Sequence, residues 1–220
     1  MFTYFSDHAS EIWALFLSHA RLSIIPVLVG LVISLPLGWV AARFKWSYPP
    51  IVSLAGLLYT IPSLVLFVVM PGLLGTRVLD VVNVIVALSI YAVALLVRVV
   101  ADGLRSVPSD TLQAATAMGY QPIGRFFAVE LPMAVPVIAA GVRVAVVSNV
   151  SLVAVATLIG TQQLGSLITD GLNASQTGGP WQSPLFIGII LAVLLALVLD
   201  ITVQLITRAL TPWRRAVAKP

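Results

Sequence analysis

Five apolar runs, each about as long as a membrane crossing, limit what this chain can become. They lie at about Leu22–Ala42, Ile51–Leu74, Leu79–Val100, Met133–Ile159 and Leu185–Ile206. About 20 apolar residues cross the hydrocarbon core as a helix. Only helices and closed barrels satisfy their backbone there, and runs of this length are helical. The expected fold is therefore an all-α integral membrane protein with about five transmembrane helices. Charged residues make up 9% of the chain, against about 25% in a soluble domain, which excludes a water-soluble globule. The second run carries Ile61-Pro62-Ser63 near its middle. Pro and Gly inside such runs are ordinary, because neighbouring helices re-satisfy the freed backbone.

The net charge of +4 invites a nucleic-acid reading, but the basic residues are scattered at the borders of the apolar runs. The positive-inside rule accounts for them better, and no nucleic acid is expected. Suppose the polar stretch Ser109–Pro136 is cytoplasmic. Arg43, Lys45, Arg98, Arg105, Arg125, Arg143, Arg208, Arg214, Arg215 and Lys219 then fall on or near the inside, and Arg21 and Arg77 outside. Five spans place the N-terminus outside and the C-terminus inside. The chain has no cysteine, so it has no disulfide framework and no thiol chemistry. His8 and His19 are its two imidazoles, and no metal site is expected.

Residues 1–19 show an apolar stripe at Phe2, Phe5, Ala9, Ile12, Trp13 and Phe16, with Asp7, Ser10 and Glu11 elsewhere. The spacing predicts an amphipathic helix lying in the outer interface, the alternative being a frayed tail. Residues 20–208 form the transmembrane domain, and 209–220 a basic cytoplasmic tail. Within Ser109–Pro136, Pro108 ends the preceding helix. Asp110 followed by Gln113 resembles a capping box. Gly119 is placed as a C′ stop and Pro122 opens a second short helix. The product is helix, glycine turn, helix at a membrane surface.

Gln113-Ala114-Ala115, Gly119, Val129 and Leu131-Pro132 resemble the EAA loop of permease subunits of binding-protein-dependent, type I ABC importers. That pattern runs Glu-Ala-Ala, three residues, Gly, nine residues, Ile, one residue, Leu-Pro. The spacing is kept throughout, with Gln113 in place of Glu and Val129 in place of Ile. Ile61-Pro62-Ser63, Ile159-Gly160 and Leu164-Gly165 resemble the osmoprotectant branch, which moves glycine betaine, choline, carnitine or proline-like solutes. The resemblance implies cytoplasmic ATPase subunits, a second permease, identical or related, and an extracytoplasmic solute-binding protein. ATP would be bound by the partners, and this chain would hold no cofactor. Gln113, Ala114, Ala115, Gly119, Tyr120, Gln121, Leu131 and Pro132 would form the ATPase-coupling element in this cytoplasmic-membrane protein. Methionine or another amino acid is the alternative solute, and an ATP-independent channel the alternative class.

Other polar residues lie inside the runs, where an ionised group is costly. Arg143 is eleven positions after Pro132, about 16 Å along a helix. Asp200 is eight positions before Arg208, about 12 Å from the same border. The matching depths allow an ion pair; the alternatives are snorkelling of Arg143 and an Asp200 facing another subunit or the pathway. Ser148, Asn149 and Ser151 cluster mid-span, facing either a wet pathway or a neighbouring helix. Tyr59, with Pro62 and Ser63, is a further pathway candidate, and Tyr59 and Tyr91 together offer π faces to a quaternary ammonium. Gly160–Ser183 is either an outer gate and binding-protein contact or a plain connector. No phosphate-binding Gly-x-x-x-x-Gly-Lys motif occurs, nor a paired set of intramembrane acid–base groups, so no catalytic residues are expected.

Overall fold

The computed structural model describes residues 2–213. The basic residues Arg214, Arg215 and Lys219 of the expected tail lie outside the described residues. The described chain runs α1 (Phe2–Asp7), α2 (Ala9–Arg43), α3 (Tyr48–Thr60), α4 (Ser63–Leu74), α5 (Val81–Arg105), α6 (Ser109–Ala117) and α7 (Pro122–Arg125). A π turn (Phe126–Glu130) leads into α8 (Leu131–Val155), and a 3-10 turn (Ala156–Ile159) follows. Next come α9 (Leu164–Gln176) and α10 (Gln182–Leu210). No strand occurs among the described residues.

α5 is the axis of the bundle. Val84, Ala87, Leu88, Leu96, Val100 and Ala101 are completely buried along it. α2 lies against it through Gly30, Ser34 and Gly38, small residues repeating every fourth position on one face. A Cβ on Gly30 would stand 2.4 Å from the Ala92 Cβ, and one on Gly38 would stand 2.5 Å from Val100 Cγ1. On the other side of α5, a Cβ on Gly141 of α8 would meet Val99 Cγ1 at 2.4 Å. Lipid is as apolar as leucine, so helices in a bilayer are held by close packing and interhelical hydrogen bonds. The small residues let α2 and α8 approach α5 that closely.

Two spans differ from expectation. The segment expected as a separate interfacial helix over residues 1–19 breaks at His8 instead, and Ala9–Arg43 is one helix of 35 residues. Its Ile12 and Leu15 are buried against Leu164, Leu167 and Ile187. Of the amphipathic stripe, Ile12 and Phe16 pack on α9 and α10, while Phe5 and Trp13 stay exposed. The second run is not one straight span either. α3 and α4 meet at an angle of 100°. Pro62 has no N–H and pushes Ile61 out of the helical region (φ −67°, ψ 128°). The Ile61 carbonyl so released accepts the hydroxyl of Tyr91.

The C-terminal ends of α2 and α5 lie together. The Tyr48 hydroxyl at the start of α3 donates to Asp102 (2.6 Å) near the end of α5. The Arg105 guanidinium sits 4.3 Å from the Tyr48 ring centroid. α6, α7 and the π turn cover this end, with Trp39 of α2 edge-on to Phe126. α9 and the start of α2 occupy the opposite end. The expected Asp110–Gln113 capping box is absent. The helix begins two residues earlier, with Pro108 rather than Asp110 at the N-cap and no side-chain cap bond, and Gln113 stays exposed.

Gly30→Ala should overpack the α2–α5 contact, at a cost of about 1–3 kcal/mol. Gly56→Ala, where a Cβ meets nothing within 4 Å, should be close to neutral. Thermal unfolding of the purified variants in detergent checks this; equal losses from both would contradict the close-packing account.

Candidate functional site

The polar loop is built as a rigid knob. α6 ends in a left-handed glycine, Gly119 at φ +87°. The Gly119 N–H donates to Thr116 O (3.0 Å) and the Tyr120 N–H to Ala115 O (3.1 Å). These two bonds together are the Schellman stop, in which carbonyls orphaned at a helix end are recovered by the turn. A Cβ on Gly119 would meet nothing within 4 Å, so glycine is needed there for its backbone and not for space. Ala115 is buried beneath the turn, while Gln113, Ala114 and Gln121 face outward. Leu131 and Pro132 form the first turn of α8 and are half-buried.

Three residues that the sequence reading left out complete this element. Arg125 donates from Nε to Glu130 Oε1 (2.7 Å) and from NH1 to the Thr116 hydroxyl (2.8 Å). The Arg125 and Glu130 side chains are 14% and 12% exposed, so the pair is shielded and ties α6 to the root of α8. The two lie five residues apart, the repeat of the π turn between them, which helical spacing rules do not look for. The loop also presents Met118 (70% exposed), Tyr120 (42%) and Ile123 (70%). These large apolar side chains stand out on an otherwise polar loop, the mark of a surface that meets a partner.

Deeper in the bundle Arg143 and Asp200 meet. Nε donates to Oδ1 (2.6 Å) and NH2 to Oδ2 (3.0 Å), a two-pronged pair joining α8 to α10. Gln204 Nε2 adds a third bond to Oδ2 (2.7 Å). Asn149, open above to either a pathway or a neighbouring helix, bonds to a helix neighbour. It is buried, and its Nδ2 donates to Ser23 O (3.2 Å), so it ties α8 to α2. The Ser23 hydroxyl donates one turn back to His19 O (2.8 Å), so Asn149 meets Ser23 at its backbone carbonyl only. Ser148 is half-buried and Ser151 exposed.

Tyr59 and Tyr91 stand edge-to-face at 5.7 Å. They line a narrow cleft with Leu95, Ser148, Asn149 and Leu152. The Tyr91 hydroxyl serves the α3–α4 break and its ring is buried, whereas Tyr59 is exposed. Pro62 caps α4 and Ser63 begins it. At the opposite end, Gln163 and Ser166 form a capping box for α9 that the sequence reading missed. Burial, and then the charge of Glu11, push the Asp170 carboxyl on α9 up from its ordinary value.

Removing either member of the ion pair, whose side chains are 41% and 21% exposed on the face of α8 and α10, leaves a lone charge at membrane depth, where an unpaired ionised side chain is costly. Arg143→Met and Asp200→Leu should each lower the thermal midpoint, and the double variant should recover much of the loss. Additive losses in the double variant would show that the two side chains do not act as a pair.

Residues 34–212 match the family described as the binding-protein-dependent transport system inner membrane component. An osmoprotectant import permease protein of Salmonella typhimurium, OsmW, is 34% identical over 95% of this chain and 96% of its own length. A choline transport system permease protein of Bacillus subtilis, OpuBB, is 33% identical over 88% of this chain and 86% of its own. Among solved structures, an inward-facing form of the MetNI methionine ABC transporter superposes with a TM-score of 0.81. It is 21% identical and covers 93% of this chain and 98% of its own, a likeness of fold. The chain belongs to the family of inner-membrane components of binding-protein-dependent transport systems.

Proposed function

We propose that this chain forms half of the pathway of an ATP-driven importer for a small osmoprotectant such as glycine betaine, choline, carnitine or proline. The observation that carries the mechanism is the rigid knob at 109–132. Its Schellman turn and its Arg125 clamp make α6, α7 and the root of α8 a single body, with Met118, Tyr120 and Ile123 on its surface. A cytoplasmic ATPase subunit would receive that surface in a groove. Closure of two ATPases on ATP would then swing the knob, and α8 with it. A second permease, identical or related, would supply the other half of the pathway. The spans would rock between inward-facing and outward-facing states, as alternating access requires. The relatives named for osmoprotectant and choline transport support the choice of solute.

The basic residues at the knob end, Arg43, Lys45, Arg98, Arg105, Arg125 and Arg208, favour a cytoplasmic placement of that end. The N-terminus and α9 then face outward, where a solute-binding protein would deliver the solute. The deep Arg143–Asp200 pair would keep α8 and α10 moving together. Ser148 and the open face of Tyr59 would border the pathway, completed by the partner permease and by lipid.

Uptake of labelled glycine betaine and choline should depend on this chain together with its ATPase and binding protein. Unlabelled betaine should compete and methionine should not. Competition by methionine alone would overturn the solute, and uptake that persists without any ATPase would overturn the importer reading.

At Gly119, a β-branched residue must adopt a left-handed backbone, at about 1–2 kcal/mol. Gly119→Val should therefore reduce uptake about tenfold with the protein still inserted. Gly119→Asn should retain most of it, because Asn tolerates that conformation. Equal uptake by both variants and the parent would remove the turn from the mechanism.

A further inference from the structure

A cavity of about 140 Å³ opens where the ends of α2 and α5 meet the knob. Trp39 and Arg43 of α2, Leu104 and Arg105 of α5, and Arg125 and Glu130 on either side of the π turn are among the residues lining it. The three arginines are not equally matched in charge. Arg125 and Glu130 pair with one another at 2.7 Å. Arg105 lies against the Tyr48 ring, but Asp102, one turn before it, is engaged by the Tyr48 hydroxyl (2.6 Å) and by Arg98 (3.6 Å). Arg43 makes no hydrogen bond or ion pair among the described residues, and no carboxylate there lies within ion-pair distance of Arg105. Two guanidiniums thus border one cavity without a counter-ion. An anion between them would be attracted by both.

The surroundings place the cavity at the level of lipid headgroups. Ile33 and Leu37 of α2 are exposed apolar residues on the approach to it, and Phe44 and Trp46 are exposed just beyond Arg43, with Lys45 between them. Aromatic rings and cations gather in this way where hydrocarbon gives way to headgroups. A planar guanidinium matches two oxygens of a phosphate. A phosphodiester with no cation of its own suits the cavity better than a zwitterionic headgroup, whose ammonium would be set beside two guanidiniums.

We propose that Arg43 and Arg105 form a binding site for the phosphate of an anionic phospholipid, seated between the membrane-spanning helices and the knob. The phosphate bridges the ends of α2 and α5, and the acyl chains run along the exposed face at Ile33 and Leu37. The inference goes beyond the transport reading and does not depend on which solute is carried. Only the leaflet that supplies the lipid rests on the cytoplasmic placement of the knob end.

The test uses the full chain, purified in detergent and titrated with phosphatidylglycerol or phosphatidylcholine, with bound lipid counted by native mass spectrometry. The parent should retain a phosphatidylglycerol more tightly than any phosphatidylcholine. Arg43→Gln and Arg105→Gln should each weaken that retention about tenfold, the loss of a charge-assisted hydrogen bond. Lys45→Gln removes the same charge at the same border, outside the cavity, and should leave retention unchanged. Arg43 has no bond within the chain to lose, so its variant changes the site and not the packing. Equal retention of the two lipids, no loss in either arginine variant, or an equal loss in Lys45→Gln would reduce the attraction to diffuse surface charge and overturn the site. Displacement of phosphatidylglycerol by millimolar inorganic phosphate would make this a site for soluble phosphate and overturn the lipid.

Discussion

The bundle depends on how closely two helices can approach in a medium that gives them no hydrophobic reason to associate. α2 and α5 touch backbone to backbone because Gly30, Ser34 and Gly38 remove the side chains that would keep them apart. Gly141 does the same for α8 against α5. In water the same helices would be driven together by their leucines and valines; in lipid those side chains are indifferent to their surroundings. Much of the apolar surface therefore stays open, including Val32, Leu57, Leu73 and Val193. It suits contact with lipid.

Polar groups then fix what packing alone leaves adjustable. Asn149 to Ser23 sets α8 against α2, and Arg143 with Asp200 sets α8 against α10. Tyr91 holds the α3–α4 break. α8 takes part in the first two contacts and is continuous with the knob through Arg125, Glu130 and the π turn. A displacement at the knob therefore has a stiff route into the bundle. Here the fold and the proposed mechanism meet, since a flexible loop would absorb the motion that this one transmits.

Much of this was legible in the sequence where a single residue type dictates a backbone. Gly119 had to be a turn, and long apolar runs had to be spans. Depth counting along α8 and α10 brought Arg143 and Asp200 level, and the structure joins them. What stayed hidden depends on partners far away in the chain. Pro62 read as an ordinary proline within one span, like Pro26 and Pro36 inside α2; the break there and its 100° angle go with the packing of α4 on α5. The cover of Ile12, Leu164 and Leu167, lies about 150 positions later and could not be read from the stripe itself. Arg125 and Glu130 escaped because a π turn pairs residues five apart. Asn149 had two polar environments open to it, and only the position of Ser23 decides between them.

The central claim is that the knob around Gly119 is the surface an ATPase subunit grips. The chain has no cysteine of its own, so Met118→Cys and Tyr120→Cys each give one reactive thiol on that surface. Cross-linking from these positions in native membranes, with the captured partner identified by mass spectrometry, is the most direct test. The account predicts an ATPase subunit captured from both positions, in a yield that changes when ATP is added. Thiols that react freely with small reagents but capture no ATPase, while a control thiol elsewhere on the chain does, would contradict it.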